Sequence, residues 1–303
     1  MTILKKTAVA VLLLSFLICM ALPVSAMGES CTLVIRYLQE EVPLTGARFQ
    51  VYRVADFTEE GGLFLTGEFA AYPADTTVSL SDLAVTLYGY AAANGVAPVR
   101  ELTVDASGSA VAEGLSKGVY LVVGLPYGAG GDRYVSQPQL VYLPWRATSA
   151  DPWSYEVVML PKSSRLPGED LTMKVLKQWE DKGCEIHRPE SIQVTLLRDG
   201  AVYETVTLDA KNNWSHTWQT LEGGHFWTVS ENVPALYTVS VTQEGAAFLV
   251  RNTCTEPPPT TEPPPPDIPQ TGVTWWPVPL LAAAGLLLIA LGLSARKDDR
   301  HEA

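Results

Sequence analysis

Residues 171–179 read Leu-Thr-Met-Lys-Val-Leu-Lys-Gln-Trp and decide the fold of the C-terminal part of this 303-residue chain. Alternate side chains of a β-strand share one face, so Met173, Val175, Lys177 and Trp179 lie together. Apolar residues at every second position predict a strand with one buried face. The segment therefore predicts the first strand of a β-sandwich, with a lysine in its inward stripe.

Six further strands are predicted downstream, at Ile192–Arg198, Tyr203–Leu208, Asn213–Trp218, Phe226–Ser230, Tyr237–Val241 and Phe248–Asn252. Asp199-Gly200 and Lys211-Asn212-Asn213 have the composition of turns between strands. Short strands separated by turn residues are typical of β-sandwiches. We therefore expect residues 169–254 to form a β-sandwich domain.

Polar groups end three of the inward stripes of this domain. Lys177 belongs to the first strand and Asn252 ends the last. Glu231 ends a third stripe, with Thr228 and Ser230 on the opposite face of the same strand. An isolated buried charge is very unfavourable, so we expect Lys177, Glu231 and Asn252 to meet.

Such a pocket has a reaction available to it. Burial lowers the pKa of a lysine and raises the pKa of a glutamate, so Lys177 becomes a neutral amine and Glu231 a protonated acid. The amine attacks the side-chain carbonyl of Asn252, Glu231 shuttles protons, and ammonia leaves. The product is an isopeptide bond between the first and last strands. The alternative is an ion pair between Lys177 and Glu231, with Asn252 only hydrogen-bonded.

These segments resemble, in order, the Cna B-type domain of Gram-positive adhesins and pili. The resemblance is carried by VLKQWED, RPESIQVTLLRDG, TLDAKNNW, WTVSENVPALY and FLVRNT. In that family a lysine, a glutamate and an asparagine form the cross-link, and they match Lys177, Glu231 and Asn252. Glu231 would be catalytic for this self-modification alone.

Residues 29–165 are predicted to form a first β-sandwich with one short helix. Ser81-Asp82 is a candidate cap for a helix from Leu83 to Asn94, and Gly95 a candidate stop. Strands are predicted at Thr32–Tyr37, Ala47–Val54, Glu101–Val104, Gly118–Val123, Gln139–Pro144 and Tyr155–Leu160. The fold class is therefore all-β, with two tandem immunoglobulin-like sandwiches.

The first domain resembles the N-terminal domain of Gram-positive pilin subunits, through ARFQVYRVAD, GLSKGVYLVVG, VYLP and WSYEVVMLPK. Related domains often carry a cross-linking lysine where this chain has Arg36, and a glutamate where it has Gly124. We therefore expect no isopeptide bond in this domain. The resemblance also implies that Lys162 joins subunits into a shaft; the alternative is a solvated linker lysine.

The N-terminus has the features of an export signal. Lys5-Lys6 precede an apolar stretch from Ala8 to Leu22, and Val24-Ser25-Ala26 suits a signal peptidase. We assign residues 1–26 to the signal peptide, so that the mature chain begins near Met27.

The C-terminus combines a stalk, a short motif and an apolar run. Residues 255–267, TEPPPTTEPPPPD, predict a stiff linker. Ile268, Pro269, Gln270, Thr271 and Gly272 follow, then a predicted transmembrane helix over 275–295 and a charged tail over 296–303.

In this order, over residues 268–303, the features resemble the LPxTG-type sorting signal of Gram-positive surface proteins. The resemblance implies that a sortase cuts between Thr271 and Gly272 and joins Thr271 to peptidoglycan or to another pilin subunit. The alternative is an ordinary single-pass membrane anchor.

Composition limits the remaining classes. The formal net charge of −12 disfavours nucleic acid as a partner. The scattered histidines lack metal-ligand spacing, so we expect no metal or cofactor, and we predict no enzyme site that turns over. Cys184 and Cys254 either form a disulfide or remain separate thiols.

The sequence thus predicts a structural protein at the cell wall or surface of a Gram-positive bacterium, as a pilin subunit or pilus-like adhesin. The alternative is a monomeric wall-anchored adhesin that binds a host or matrix ligand through its first domain. An exposed aromatic patch or the loop Asp56–Gly67 would serve that purpose.

Overall fold

Strands dominate the computed structural model, which describes residues 30–255 and 277–298. In the N-terminal half (residues 30–165) the strands are β1 (Cys31–Arg36), β2 (Leu38–Gln39), β3 (Val42–Pro43), β4 (Arg48–Phe57), β5 (Leu63–Leu65), β6 (Arg100–Thr103), β7 (Ser109–Leu115), β8 (Gly118–Gly124), β9 (Tyr127–Ala129), β10 (Asp132–Ser136), β11 (Gln139–Leu143), β12 (Glu156–Met159) and β13 (Ser163–Arg165). A 3-10 turn (Gly67–Phe69) and helix α1 (Leu80–Ala93) lie between β5 and β6.

The C-terminal half (residues 171–255) contains β14 (Leu171–Glu180), β15 (Ser191–Arg198), β16 (Ala201–Asp209), β17 (Ser215–Leu221), β18 (Trp227–Glu231), β19 (Tyr237–Glu244) and β20 (Ala247–Cys254). A 3-10 turn, Glu185–His187, follows β14. The described fold is thus mostly β and sandwich-like, with few helices.

In the N-terminal half, a three-stranded sheet of order β12-β1-β7 packs on a five-stranded sheet of order β11-β8-β4-β5, in which β6 also pairs with β4. The core between them contains Leu33, Ile35, Phe49, Val51 and Val122. Strand β8 is buried along its whole length. It can be so apolar because its second face is covered as well, by helix α1.

Helix α1 begins earlier than the sequence predicted, at Leu80 instead of Leu83. The backbone N–H of Asp82 donates to Ser79 Oγ (3.1 Å), and Ser79 Oγ–H donates to Asp82 Oδ2 (2.8 Å). This exchange caps the first turn, so Ser79 is the N-cap and the Ser81-Asp82 cap was wrong. Gly95 follows the C-cap Asn94 with φ +63°, as a helix stop does.

The C-terminal half consists of a four-stranded sheet, β17-β14-β20-β19, and a three-stranded sheet, β16-β15-β18. Its core contains Met173, Val175, Val194, Val229 and Val250. This core is continuous with the apolar residues between α1 and the five-stranded sheet. The two halves therefore share one hydrophobic core, and the described residues up to Thr255 belong to one compact unit.

A second unit contains helix α2, Pro277–Asp298. Among the described residues, no helix is long and apolar enough to cross a membrane, and the predicted span over 275–295 is not confirmed. The predicted signal peptide, most of the proline-rich linker, the motif 268–272 and most of the charged tail lie outside the described residues.

Candidate functional site

Lys177 is held inside the C-terminal sandwich by strand β14. The burial of β14 alternates over residues 172–177, with Met173, Val175 and Lys177 buried and Lys174 exposed. The Lys177 side chain is 0% exposed. The strand period thus forces an amine into an apolar interior, where its charged form is poorly solvated.

Asn252 comes from the neighbouring strand. Strands β14 and β20 are parallel partners, with Lys177 opposite Val250 and Trp179 opposite Asn252. Asn252 is fully buried, and its Oδ1 has no hydrogen-bond partner among the described residues. A buried amide carbonyl without a donor is unfavourable and is ready to accept one.

Glu231 reaches the pocket from the opposite sheet and contacts both other groups. It ends β18, which pairs with β15. Its Oε2 accepts a hydrogen bond from Lys177 Nζ (3.2 Å), and its Oε1 accepts one from Asn252 Nδ2 (2.9 Å). Its side chain is 0% exposed. The carboxyl group therefore bridges the amine and the amide in a site closed to solvent.

Burial dominates the protonation of this pair. Desolvation lowers the pKa of Lys177 to about 8, although Glu231 and Asp181 act in the opposite direction. Desolvation likewise raises the pKa of Glu231 against the effects of Lys177 and Asn252. Both shifts favour the uncharged forms, a neutral amine beside a protonated acid.

Aromatic and charged residues surround the pocket. Lys177 Nζ lies 4.5 Å from the centre of the Trp179 ring, which packs edge-on against Tyr237. The Tyr237 hydroxyl donates to Asp181 Oδ2 (3.1 Å), and Asp181 also pairs with Arg188. This pairing lowers the pKa of Asp181. Roles for these neighbours were not predicted from the sequence, although WED in VLKQWED places two acidic residues beside the tryptophan.

A disulfide lies near the same end of the sandwich. Cys184 follows β14 and Cys254 ends β20, and the structure joins them with a Cα–Cα distance of 6.6 Å. Of the two alternatives left open by the sequence, the structure therefore has the bridge.

The other predicted residues lie apart from this pocket. Lys162 is exposed in the segment between β12 and β13. Arg36 is exposed at the end of β1, and Gly124 is buried at the end of β8. Among the described residues, no cluster of three or more His, Cys, Asp or Glu side chains is arranged to hold a metal ion.

Comparison with protein families gives one match. Residues 173–253 match the family described as Cna protein B-type domain, which confirms the predicted domain type over this range. No curated protein matches the sequence.

Solved structures of surface proteins and pilins are similar at low identity. A single B repeat unit of the collagen-binding surface protein Cna of Staphylococcus aureus is 17% identical, with 75% of this chain and 98% of that chain covered and a TM-score of 0.26. The major pilin SpaD of Corynebacterium diphtheriae is 15% identical, with 74% of this chain and 64% of that chain covered and a TM-score of 0.31. The pilus backbone RrgB of Streptococcus pneumoniae is 12% identical, with 77% of this chain and 78% of that chain covered and a TM-score of 0.26.

Proposed function

We propose that this chain is a structural protein of a Gram-positive cell surface, a pilin subunit or pilus-like adhesin, whose C-terminal half cross-links itself. The observation that carries the proposal is the bridging position of Glu231 between Lys177 and Asn252 in a fully buried pocket. A domain match over the same strands supports it.

The reaction balances with the three side chains alone. A proton moves from Lys177 to Glu231 along their 3.2 Å hydrogen bond, which leaves a neutral amine and a carboxylic acid. Nζ attacks Cγ of Asn252, the Nζ–Cγ bond forms, and the Cγ–Nδ2 bond breaks. The proton that Nζ loses passes through Glu231 to Nδ2, which departs as ammonia; Glu231 then gives its own proton to the ammonia, which leaves as ammonium and restores the carboxylate.

The carbonyl of Asn252 needs a donor for this attack. Nδ2 faces Glu231, and Oδ1 has no hydrogen-bond partner in the part of the chain that the structure describes. The two ends of a side-chain amide have nearly the same shape, so the amide can turn over once Glu231 is protonated. Oδ1 then accepts a hydrogen bond from the protonated carboxyl group of Glu231, which polarises the carbonyl and gives the oxygen a partner.

The bond would join neighbouring parallel strands, β14 and β20, the first and last of the C-terminal half. A force applied to the two ends of this half would then pass through the covalent link and bypass the strands between. This is a useful property in a protein that transmits tension at a cell surface.

Intact mass tests the proposal. The protein should weigh less than its sequence by one ammonia, and Glu231→Ala should restore the full mass because the proton shuttle is lost. Glu222→Ala, which changes an exposed glutamate on the same half, is the matched control and should leave the ammonia loss complete. An unreacted wild-type mass would refute the cross-link.

Surface attachment is the second part of the proposal. Export through residues 1–26 and sortase cleavage after Thr271 would deliver the chain to peptidoglycan or to another subunit. The exposed position of Lys162 makes it reachable as the acceptor amine. Wall extracts boiled in detergent should show a ladder of high-mass species that Lys162→Ala abolishes; a single wild-type band would instead support a monomeric wall protein.

One surface favours the alternative function, binding of a host or matrix ligand. Phe57, Tyr142 and Trp153 form a ring cluster beside the loop after β4, and Trp145 next to it is 49% exposed. Arg146 stacks 4.1 Å above Trp153. Cells displaying Trp145→Ala should then adhere less to a matrix-protein coat than cells displaying the wild-type chain, and equal adhesion would count against this function.

A further inference from the structure

Strand β18, which carries Glu231, is buried on both faces. The strand period predicted that Thr228 and Ser230 point outward, yet they are 1% and 6% exposed. Helix α1 of the N-terminal half covers them. Its backbone approaches so closely that a Cβ added at Gly89 would lie 2.3 Å from the carbonyl oxygen of Val229, so this crossing requires glycine.

The N-terminal half also closes the open edge of the sandwich beside β19. The Asp75 N–H donates to Val239 O, and the Val239 N–H donates to Pro73 O, both at 2.8 Å. From α1, Thr86 Oγ1 accepts the N–H of Val241 at 2.8 Å. Main-chain hydrogen bonds therefore fix the N-terminal half to the edge strand of the sheet that contains Lys177 and Asn252.

Tyr72 lies at the junction of these two attachments. Its ring stacks on Tyr90 at 4.0 Å. Its buried hydroxyl lies beside Ser230 and makes no hydrogen bond of ordinary geometry to any residue that the structure describes. Burial, and then the charge of Glu231, raise the pKa of Tyr72, so the hydroxyl stays protonated. The same residues, with Glu231, line a cleft of about 430 Å³ that opens on this side of the pocket.

We propose that Tyr72 is a positioning residue of the cross-linking reaction: its ring, held by helix α1 and by the pairing at Val239, closes the side of the pocket through which water would reach Glu231. This inference rests on the proposed function. The reaction of the C-terminal half then depends on docking of the N-terminal half.

The physical reason is the balance between two forms of the Lys177–Glu231 pair. The ion pair does not react, whereas the neutral amine with the protonated acid does. Water solvates the ion pair and shifts both pKa values back toward their ordinary ranges. Each unit by which the pKa of Lys177 rises relative to that of Glu231 reduces the population of the uncharged, reactive pair about tenfold.

Pulsed cell-free synthesis of the full chain, followed by intact mass over time, measures the rate of ammonia loss. Tyr72→Ala should slow it at least about tenfold, because one pKa unit suffices for that change. Tyr72→Phe keeps the ring and should react within about twofold of wild type. Equal rates for wild type and Tyr72→Ala would overturn the proposal, and so would equal slowing by Tyr72→Phe, which would assign the role to the hydroxyl.

Two further measurements separate closure of the pocket by Tyr72 from other causes of a slower reaction. Tyr37→Ala removes a buried tyrosine from the other core of the N-terminal half and should leave the rate unchanged; slowing equal to that of Tyr72→Ala would overturn the inference in favour of general destabilisation. If the wild-type chain never loses ammonia, the proposed function fails. Hydrogen–deuterium exchange at residues 228–232 then still tests whether Tyr72 keeps water from the pocket. Tyr72→Ala must raise that exchange, and exchange equal to wild type would overturn the inference by itself.

Discussion

The two halves of the molecule pair their first and last strands in the same way but place different side chains at this junction of first and last strand. In the N-terminal half β1 and β12 are parallel partners, and in the C-terminal half β14 and β20 are. The first junction ends in apolar side chains, with Ile35 opposite Met159 and both buried. The second places Trp179 opposite Asn252, with Lys177 beside them.

Under the proposed function, the same strand arrangement occurs at both junctions, and the side chains decide which of them can react. At the N-terminal junction Arg36 is exposed and carries a guanidinium in place of a primary amine. At Gly124 an added Cβ would lie 2.8 Å from Ser136 Cβ, so a larger side chain does not fit there without a shift of its neighbours. In the C-terminal half, the Cys184–Cys254 disulfide joins the end of β20 to the segment that follows β14.

The largest expected effect is on extension under force. When the chain is pulled from its two ends with the disulfide reduced, the N-terminal half should unfold while the residues between Lys177 and Asn252 stay locked. Glu231→Ala should release them, which adds on the order of 250 Å of contour length. Single-molecule force spectroscopy measures both steps.

The disulfide supplies the control for this experiment. With Cys184–Cys254 oxidised, Glu231→Ala should extend only on the order of 20 Å further than wild type, because the bridge encloses almost the same loop. If the reduced wild-type chain also showed this extra contour length, the C-terminal half would not be cross-linked and would not differ from the N-terminal half in this respect.

A graft of the site onto the N-terminal half should fail, with a smaller effect. Arg36→Lys with Gly124→Glu supplies the amine and the acid, but the new side chain at 124 collides with Ser136 and with Phe49, whose Cε1 would be 3.1 Å from the added Cβ. Overpacking of this kind costs about 1–3 kcal/mol. Denaturant unfolding should show that loss, and intact mass should show no further ammonia loss, because the graft also lacks an asparagine as acceptor. Arg36→Lys alone is the matched control and should unfold like wild type, because residue 36 is exposed; a graft as stable as this control would contradict the steric argument.

Sequence periodicity was most reliable where neighbouring strands alone decide burial. The inward positions of Met173, Val175 and Lys177 follow from the alternation of β14. Strand β7 was not predicted, because its SAVAEGL sequence is rich in alanine and glycine, which have low strand propensity.

Burial of Thr228 and Ser230 could not be predicted, since the helix that covers them lies far upstream in the chain. Such long-range contacts leave no periodic signal in the strand itself. The contact of Glu231 with Lys177 and Asn252 was predictable in outline, because three costly polar groups in apolar stripes must find partners. Its closure by Tyr72 was not.

The smallest expected effect is the pH dependence of stability that the unreacted pocket of the C-terminal half produces. Asn252→Ala prevents the cross-link and leaves the amine of Lys177 buried, with Glu231 and Asp181 as the charged groups that act on it. Burial lowers the pKa of Lys177 from 10.5 to about 8. Between these values the unfolded chain binds a proton that the folded chain does not, so stability should rise with pH, by up to about 1.4 kcal/mol per pH unit. Denaturant unfolding from pH 8.5 to 10 measures this slope against Lys177→Met/Asn252→Ala, which lacks the amine and keeps the other titratable groups. Since no buried lysine occupies the N-terminal junction, the difference between the two variants belongs to the pocket of the C-terminal half. Parallel slopes in the two variants would mean that Lys177 titrates as it does in water, and the neutral amine on which the reaction depends would then lose its basis.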